Sequence, residues 1–185
     1  MGTGIFCTPK IASAVKIIEF VSNRVSYIDL RGRWCNIIVL NVHAPSDEKS
    51  DESKDSFYEE LEQVFYHFPK YHMKFLLGDF NLKVGREKIF KPTIGNEILY
   101  QYSNNNGVRI VNFATKKNYY LRARYSPTET FVSTPGHLRL GRLDNQIDHI
   151  LIDRRRHSSI LDVRSFRGAD CDTDNYLVVA KLREN

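Results

Sequence analysis

Three aspartates of this chain lie where an apolar strand is predicted to begin, run or end. Asp79 follows one apolar run, Asp148 lies within a second, and Asp174 comes shortly before a third. A charged carboxylate inside or at the rim of a core is unfavourable unless it is paired or binds a metal. The three placements therefore predict one shared polar site.

Asp79 and Asn81 belong to the string Gly78-Asp79-Phe80-Asn81, whose chemistry is the clearest. The glycine lets the chain turn sharply as it leaves the strand. Asp79 can then orient a water molecule or hold a protonated group, and the Asn81 amide can donate to a phosphate oxygen as negative charge builds there. The alternative is an ordinary turn after a strand, in which the aspartate bonds only the backbone.

Asp148 and Asp174 each have a catalytic and a structural interpretation. On its strand Asp148 can fix and polarise an imidazole that acts as a general base, or it can pair with an arginine. His149 points the opposite way along the same strand, so it is not the expected partner. Asp174 lies at the mouth of a strand, where oxygen ligands suit Mg²⁺ or Mn²⁺ and where a capped turn is the alternative.

Periodicity predicts the elements that position these residues. Alternation over 25–30 and 34–43 predicts a hairpin, and in its second strand Asn41 and His43 share one face. Further strands are predicted over 74–77, 119–122, 129–133, 147–152 and 177–181.

Two helices are predicted among these strands. The first is expected from a capping box of Ser56 and Glu59 to Phe68, after a polar loop over 46–54. The second is expected over about 107–117, with its inward residues at Val108, Val111 and Ala114. Strands with interspersed helices indicate a mixed α/β or α+β layered fold.

Composition limits the class of protein. A chain of 185 residues with 42% apolar and 12% aromatic residues predicts one globular domain over 1–185. No apolar run reaches the roughly 18 residues of a membrane span, and the N-terminus has no signal-peptide pattern. Three widely spaced cysteines predict free thiols in an intracellular compartment, nucleus or cytoplasm, and no zinc site. No obligate protein partner is indicated.

Basic residues are concentrated late in the chain, and the net charge is +5. This pattern favours a phosphate-rich partner, with a solvated surface as the alternative. If that partner is a nucleic acid, we expect a small group of polar and basic side chains to contact it: Asn41, Arg139, Arg142, Arg154 and Arg155.

Four strings then occur in order: Asn41-Val42-His43-Ala44-Pro45, Gly78-Asp79-Phe80-Asn81, Asn145-Gln146-Ile147-Asp148-His149 and Thr173-Asp174-Asn175. With these strings the chain resembles the endonuclease/exonuclease/phosphatase superfamily over nearly its whole length. More narrowly, it resembles the endonuclease domain of non-LTR retrotransposons and the relatives described as craniofacial development protein 2-like.

The resemblance implies a four-layered sandwich of two mixed β-sheets with outer helices, and cleavage of DNA phosphodiester bonds with Mg²⁺ or Mn²⁺. By the same resemblance, Asp79 orients the attacking water and Asn81 supports the transition state. His43 contacts the phosphate or acts as an acid, Asp148 pairs with a histidine, and Asp174 binds the metal.

The chain also departs from the pattern of that family. Asn175 stands where the family has a histidine, and an amide cannot exchange a proton near neutral pH. The opening strands and their metal-binding glutamate are expected to be absent, which makes the domain N-terminally truncated. Impaired catalysis is therefore predicted, with a catalytically dead remnant or a basic nucleic-acid-binding module as the alternative. A phosphoinositide or other phosphoester hydrolase is the third interpretation.

Overall fold

The structure is a computed structural model, and it describes residues 3–85, 93–94, 102–124, 148–166 and 177–182. Its strands are β1 (Val15–Phe20), β2 (Val25–Leu30), β3 (Ile37–His43), β4 (Met73–Asp79), β5 (Tyr119–Arg124), β6 (Asp148–Asp153), β7 (Ile160–Phe166) and β8 (Leu177–Leu182). Its α-helices are α1 (Pro9–Ala12), α2 (Asp51–His67) and α3 (Asn105–Lys117), and a 3₁₀ turn covers Arg154–Ser159. None of the helices in these ranges is long and apolar enough to cross a membrane.

The first six strands form one mixed sheet in the order β1-β2-β3-β4-β6-β5, and β7 pairs with β8 in a second sheet. β1, β2 and β3 are antiparallel neighbours, whereas β3 and β4 run parallel. The parallel pair requires a crossover, which α2 supplies between the two strands. The predicted mixed α+β class, with sheets and helices in layers, is confirmed. Within the described residues the second sheet is antiparallel.

One face of the large sheet forms the main core against α2 and α3. Leu40, Leu76 and Leu121 from the sheet are almost fully buried, as is Leu61 of α2. Burying a side chain of this size stabilises a fold by about 1.5–3 kcal/mol. This face therefore fixes the helices on the strands that carry the predicted site.

The opposite face of the sheet is apolar in its middle and polar at one edge. Phe75 and Ile152 are buried there, and Val39 and Leu77 are partly buried against them. Along β3, burial alternates residue by residue, so Asn41 and His43 lie on this face beyond Val39. The face predicted from the alternation is the one observed.

Both predicted helices begin earlier than expected. α2 starts at Asp51, because the Ser50 hydroxyl accepts a hydrogen bond from the Ser53 amide and caps it. The loop predicted up to residue 54 and the start at Ser56 are therefore wrong. Val108 of α3 is 39% exposed, so its predicted inward position is also wrong.

Two strands were not anticipated from the sequence. β1 is an edge strand whose Ile17, Ile18 and Phe20 are exposed, so its pattern lacks the alternation of a half-buried strand. β7 follows a run of arginines and was likewise missed. The strand predicted over 129–133 lies outside the described residues.

Candidate active site

The ends of β3 and β4 form one unit at an edge of the large sheet. Their parallel register pairs His43 with Asp79, and the amide of Ala44 continues it by donating to the Asp79 carbonyl at 2.8 Å. The Nδ1 atom of His43 lies 3.7 Å from Oδ2 of Asp79, with about a third or less of either side chain exposed. The structure thus brings together a carboxylate and an imidazole that are 36 residues apart in the sequence.

Gly78 allows the two strands to approach this closely. Its φ is +129°, and a Cβ atom at this position would lie 1.9 Å from the carbonyl oxygen of Val42. Real Cβ contacts this short do not occur, and side chains rarely adopt this backbone conformation. The glycine predicted for the turn is therefore needed for strand contact as well.

Asn81 ties the end of β4 to the end of β3. Its φ is +48°, in the left-handed region that asparagine tolerates better than most residues. Its backbone amide donates to Oδ1 of Asp79 at 2.9 Å, and its Nδ2 donates to the carbonyl of Ala44 at 2.9 Å. The turn given above as the alternative is therefore formed. It leaves Oδ2 of Asp79 on the side of His43, and one Nδ2 hydrogen of Asn81 for another acceptor.

Two asparagines at the start of α3, the N-cap Asn104 and Asn106 in the first turn, support this loop and were missed by sequence reasoning. Asn104 caps the helix through the amide of Gly107, at 2.8 Å, and donates from Nδ2 to the carbonyl of Asn81 at 3.1 Å. Asn106 is fully buried and also donates to that carbonyl. The polar run just before an apolar helical pattern was the available signal for the cap.

Two more polar side chains lie beside His43. Arg24, which was not among the predicted site residues, donates from Nη1 to the His43 carbonyl at 3.1 Å. Asn41 is two residues from His43 on the same face, and its Nδ2 donates to the carbonyl of Gly4 at 3.1 Å. The structure therefore places the predicted contact Asn41 next to the pair, with its amide already bonded to residue 4.

The backbone brings Asp148 to the same edge of the sheet. β6 runs antiparallel to β4, with Leu151 opposite Leu76. Asp79 and Asp148 lie three residues beyond that pair along their strands, so the start of β6 lies where β4 ends. The register therefore brings the backbone of Asp148 towards the end of β4, and a site shared by the two aspartates stays a prediction.

The other end of β6 is about 17 Å along the strand from Asp148, and Arg154 and Arg155 lie beyond it. The Arg155 guanidinium bonds Asp153, with Nη2 and Oδ2 2.6 Å apart. Burial alone raises the pKa of Asp153, but the hydrogen bonds and charge of Arg155 outweigh it and lower the pKa. These two predicted DNA contacts therefore do not join the His43–Asp79 edge.

The described residues do not by themselves complete a metal site. No three histidine, cysteine, aspartate or glutamate side chains cluster in the part of the chain that the structure describes. Among the described residues at this edge, Oδ2 of Asp79 and the imidazole of His43 are the groups that could ligate a metal ion. Four predicted site residues lie outside the described ranges: Arg139, Arg142, Asp174 and Asn175.

The chain is similar in sequence to curated proteins of known name. No protein-family model matches the chain. Craniofacial development protein 2 of Bos taurus is 28% identical over 189 aligned residues, covering 98% of this chain and 30% of that protein. The protein of the same name from Tragulus javanicus is also 28% identical, covering 98% of this chain and 31% of its own length. The chain therefore corresponds to about a third of the length of these relatives.

A solved structure decides the fold. The endonuclease domain of TRAS1, a telomere-specific non-LTR retrotransposon, superposes with a TM-score of 0.53 at 17% identity, covering 88% of this chain and 65% of that domain. The fold is that of a retrotransposon endonuclease domain. The predicted resemblance is thereby confirmed at the level of fold and of similarity to craniofacial development protein 2.

Proposed function

We propose that this chain is a nuclease-type domain that hydrolyses phosphodiester bonds of DNA with Mg²⁺ or Mn²⁺. The observation that carries the proposal is the alignment of His43 with Asp79 at the joined ends of two parallel strands, in a chain with an endonuclease fold. A bound metal would polarise the phosphate and stabilise the leaving oxygen. The proposed metal ligand Asp174 lies outside the described residues.

Three described residues of the edge have a proposed part in the reaction. Oδ2 of Asp79, which is not used by the turn, orients the attacking water. The second Nδ2 hydrogen of Asn81 donates to the phosphate oxygen on which charge develops. The imidazole of His43 contacts the phosphate from the neighbouring strand.

We propose that the activity is weak because Asn175 replaces the histidine expected with Asp148. An amide neither gains nor loses a proton near neutral pH, so it cannot act as a general base. General acid–base catalysis contributes about 10²–10⁴-fold to a rate. The substitution Asn175→His is therefore expected to raise the rate of DNA cleavage, by up to this range.

The test is nicking of supercoiled plasmid with Mg²⁺, with Mn²⁺ and with a chelator. Asp79→Asn preserves the acceptor for the Asn81 amide but removes the charge, so we expect nicking to fall at least about 100-fold. Glu59→Gln removes the same charge from the exposed side of α2 and serves as the matched control. Equal nicking by wild type and Asp79→Asn would refute the assignment.

The second candidate function is binding of nucleic acid without catalysis. It is favoured by Asn175 and by the basic run at the opposite edge, where Arg154 and Arg155 are exposed. DNA binding that weakens steeply with salt and is indifferent to metal and to Asp79→Asn would support this function in place of hydrolysis. An Arg154→Ala variant is then expected to bind less tightly, whereas Glu59→Gln is not.

A further inference from the structure

We propose that Asn106 is a positioning residue of the candidate active site, which clamps together the two strand ends that carry His43 and Asp79. This inference rests on the function proposed above. Asn106 touches neither side chain; it acts through the backbone on which they are mounted. Its Nδ2 donates to the carbonyl of Pro45 at 2.8 Å and to the carbonyl of Asn81 at 3.2 Å.

The two acceptors come from the two chain segments that leave the sheet at the site. Pro45 is two residues beyond His43, and Asn81 is two residues beyond Asp79. Because one amide nitrogen bonds both carbonyls, neither segment can move away from the other without breaking a hydrogen bond. The bond from the Ala44 amide to the Asp79 carbonyl joins the same two segments.

The clamp is itself held by α3. Asn106 is in the first turn of the helix and is 0% exposed, and its own carbonyl accepts from the hydroxyl of Tyr58 at 3.4 Å. The Asn104 cap anchors the same turn to the carbonyl of Asn81. The positions of the two strand ends therefore depend on where α3 packs on the sheet.

Stability alone does not account for an amide at this position. Oδ1 of Asn106 is buried and has no hydrogen-bond partner in the part of the chain that the structure describes. A buried acceptor without a partner is unfavourable, so leucine, which has the same branching but no acceptor, regains part of what the lost hydrogen bonds contributed, while the Pro45 carbonyl is left without its donor. Asn106→Leu therefore removes the clamp and also lowers the stability of the fold, and the experiment below separates the two effects.

The expected functional effect follows from geometry. A misplacement of about 1 Å in a reacting group can lower a rate by about 100-fold. Loosening the two strand ends displaces Oδ2 of Asp79 relative to His43, while the DNA-binding surface away from the edge is unchanged. We expect Asn106→Leu to lower kcat for nicking by about 10–100-fold and to leave KM within about twofold.

The first arm of the experiment measures the clamp without reference to activity. Amide hydrogen exchange is followed at Ala44, whose N–H bonds Asp79, and at Leu40, further back in β3. In Asn106→Leu we expect exchange at Ala44 to quicken by about tenfold and exchange at Leu40 to quicken by much less. Asn112→Leu, on the exposed side of α3, is the matched control.

Two exchange results would overturn the proposal: unchanged protection of Ala44, or equal acceleration at Ala44 and Leu40, which indicates a general loss of stability. If Asn106→Leu does not fold, Asn106→Ala, which also lacks the amide but adds no bulk, is judged by the same criteria.

The second arm measures kcat and KM for nicking in the same variants. Faster exchange at Ala44 with an unchanged kcat would overturn the positioning role. If the wild-type chain does not nick DNA at all, the proposed function fails, and the exchange arm still decides whether the clamp exists. A rise in KM with an unchanged kcat would mean that Asn106 supports binding of DNA, which contradicts the proposal.

Discussion

Replacing Gly78 with alanine should separate β3 from β4 at the candidate site. The new Cβ would lie 1.9 Å from the Val42 carbonyl oxygen and 2.8 Å from the Val42 nitrogen. Both atoms are backbone, so no side-chain rotation relieves the contact. The strands must move apart at the point where their register aligns His43 with Asp79.

The magnitude can be worked from two contributions. A non-glycine residue in a backbone region that only glycine adopts readily loses about 1–3 kcal/mol. Weakening one or two backbone hydrogen bonds at the strand ends loses about 0.5–1.5 kcal/mol each. Gly78→Ala should therefore lower the free energy of unfolding by about 1.5–6 kcal/mol, a large part of the roughly 5–15 kcal/mol of a typical domain.

Urea denaturation followed by far-UV circular dichroism measures this loss. Gly4→Ala is the matched control, because nothing lies within 4 Å of a Cβ atom at residue 4. We expect the midpoint of Gly4→Ala to stay close to that of wild type and the midpoint of Gly78→Ala to fall, with similar slopes. A loss below about 0.5 kcal/mol in Gly78→Ala, the size of an ordinary surface substitution, would refute the reasoning.

Two further predictions concern the cap of α3 and the ion pair of Asp153 with Arg155. Asn104→Ala removes the cap of α3 and one bond to the Asn81 carbonyl, and should lower the free energy of unfolding by about 1–2 kcal/mol in urea denaturation, whereas Asn112→Ala on the exposed face should change it little. Burial raises the pKa of Asp153, but Arg155 outweighs burial and lowers the pKa below its ordinary value of 3.8. This carboxylate therefore stabilises the fold above about pH 4, and the stabilisation is lost as pH falls through the lowered pKa. Asp153→Asn should therefore flatten the decline of the unfolding free energy below about pH 4; an equally steep decline in wild type and variant would contradict this.

Local patterns predicted the parts of the fold that depend on neighbours in sequence. The alternation along β3 set the face of Asn41 and His43, because side chains of a strand point to opposite sides at every step. The apolar spacing predicted the end of α2 at Phe68, one residue beyond its observed end at His67. The start of α2 was mispredicted because both serines can cap a helix and only Ser56 has a glutamate three residues on, whereas Ser50 forms the cap in the structure.

The sequence by itself determined which residue types this protein can bring to a site: Asp79 and Asn81 after one strand, and His43 at the end of another. Only the tertiary structure decided that they meet, because the parallel register of β3 and β4 depends on the crossover through α2. It also decided the role of Asn106. In the sequence Asn106 looks like any asparagine at the start of a helix. Its amide links the two strand ends only because the fold packs both of them against the start of α3.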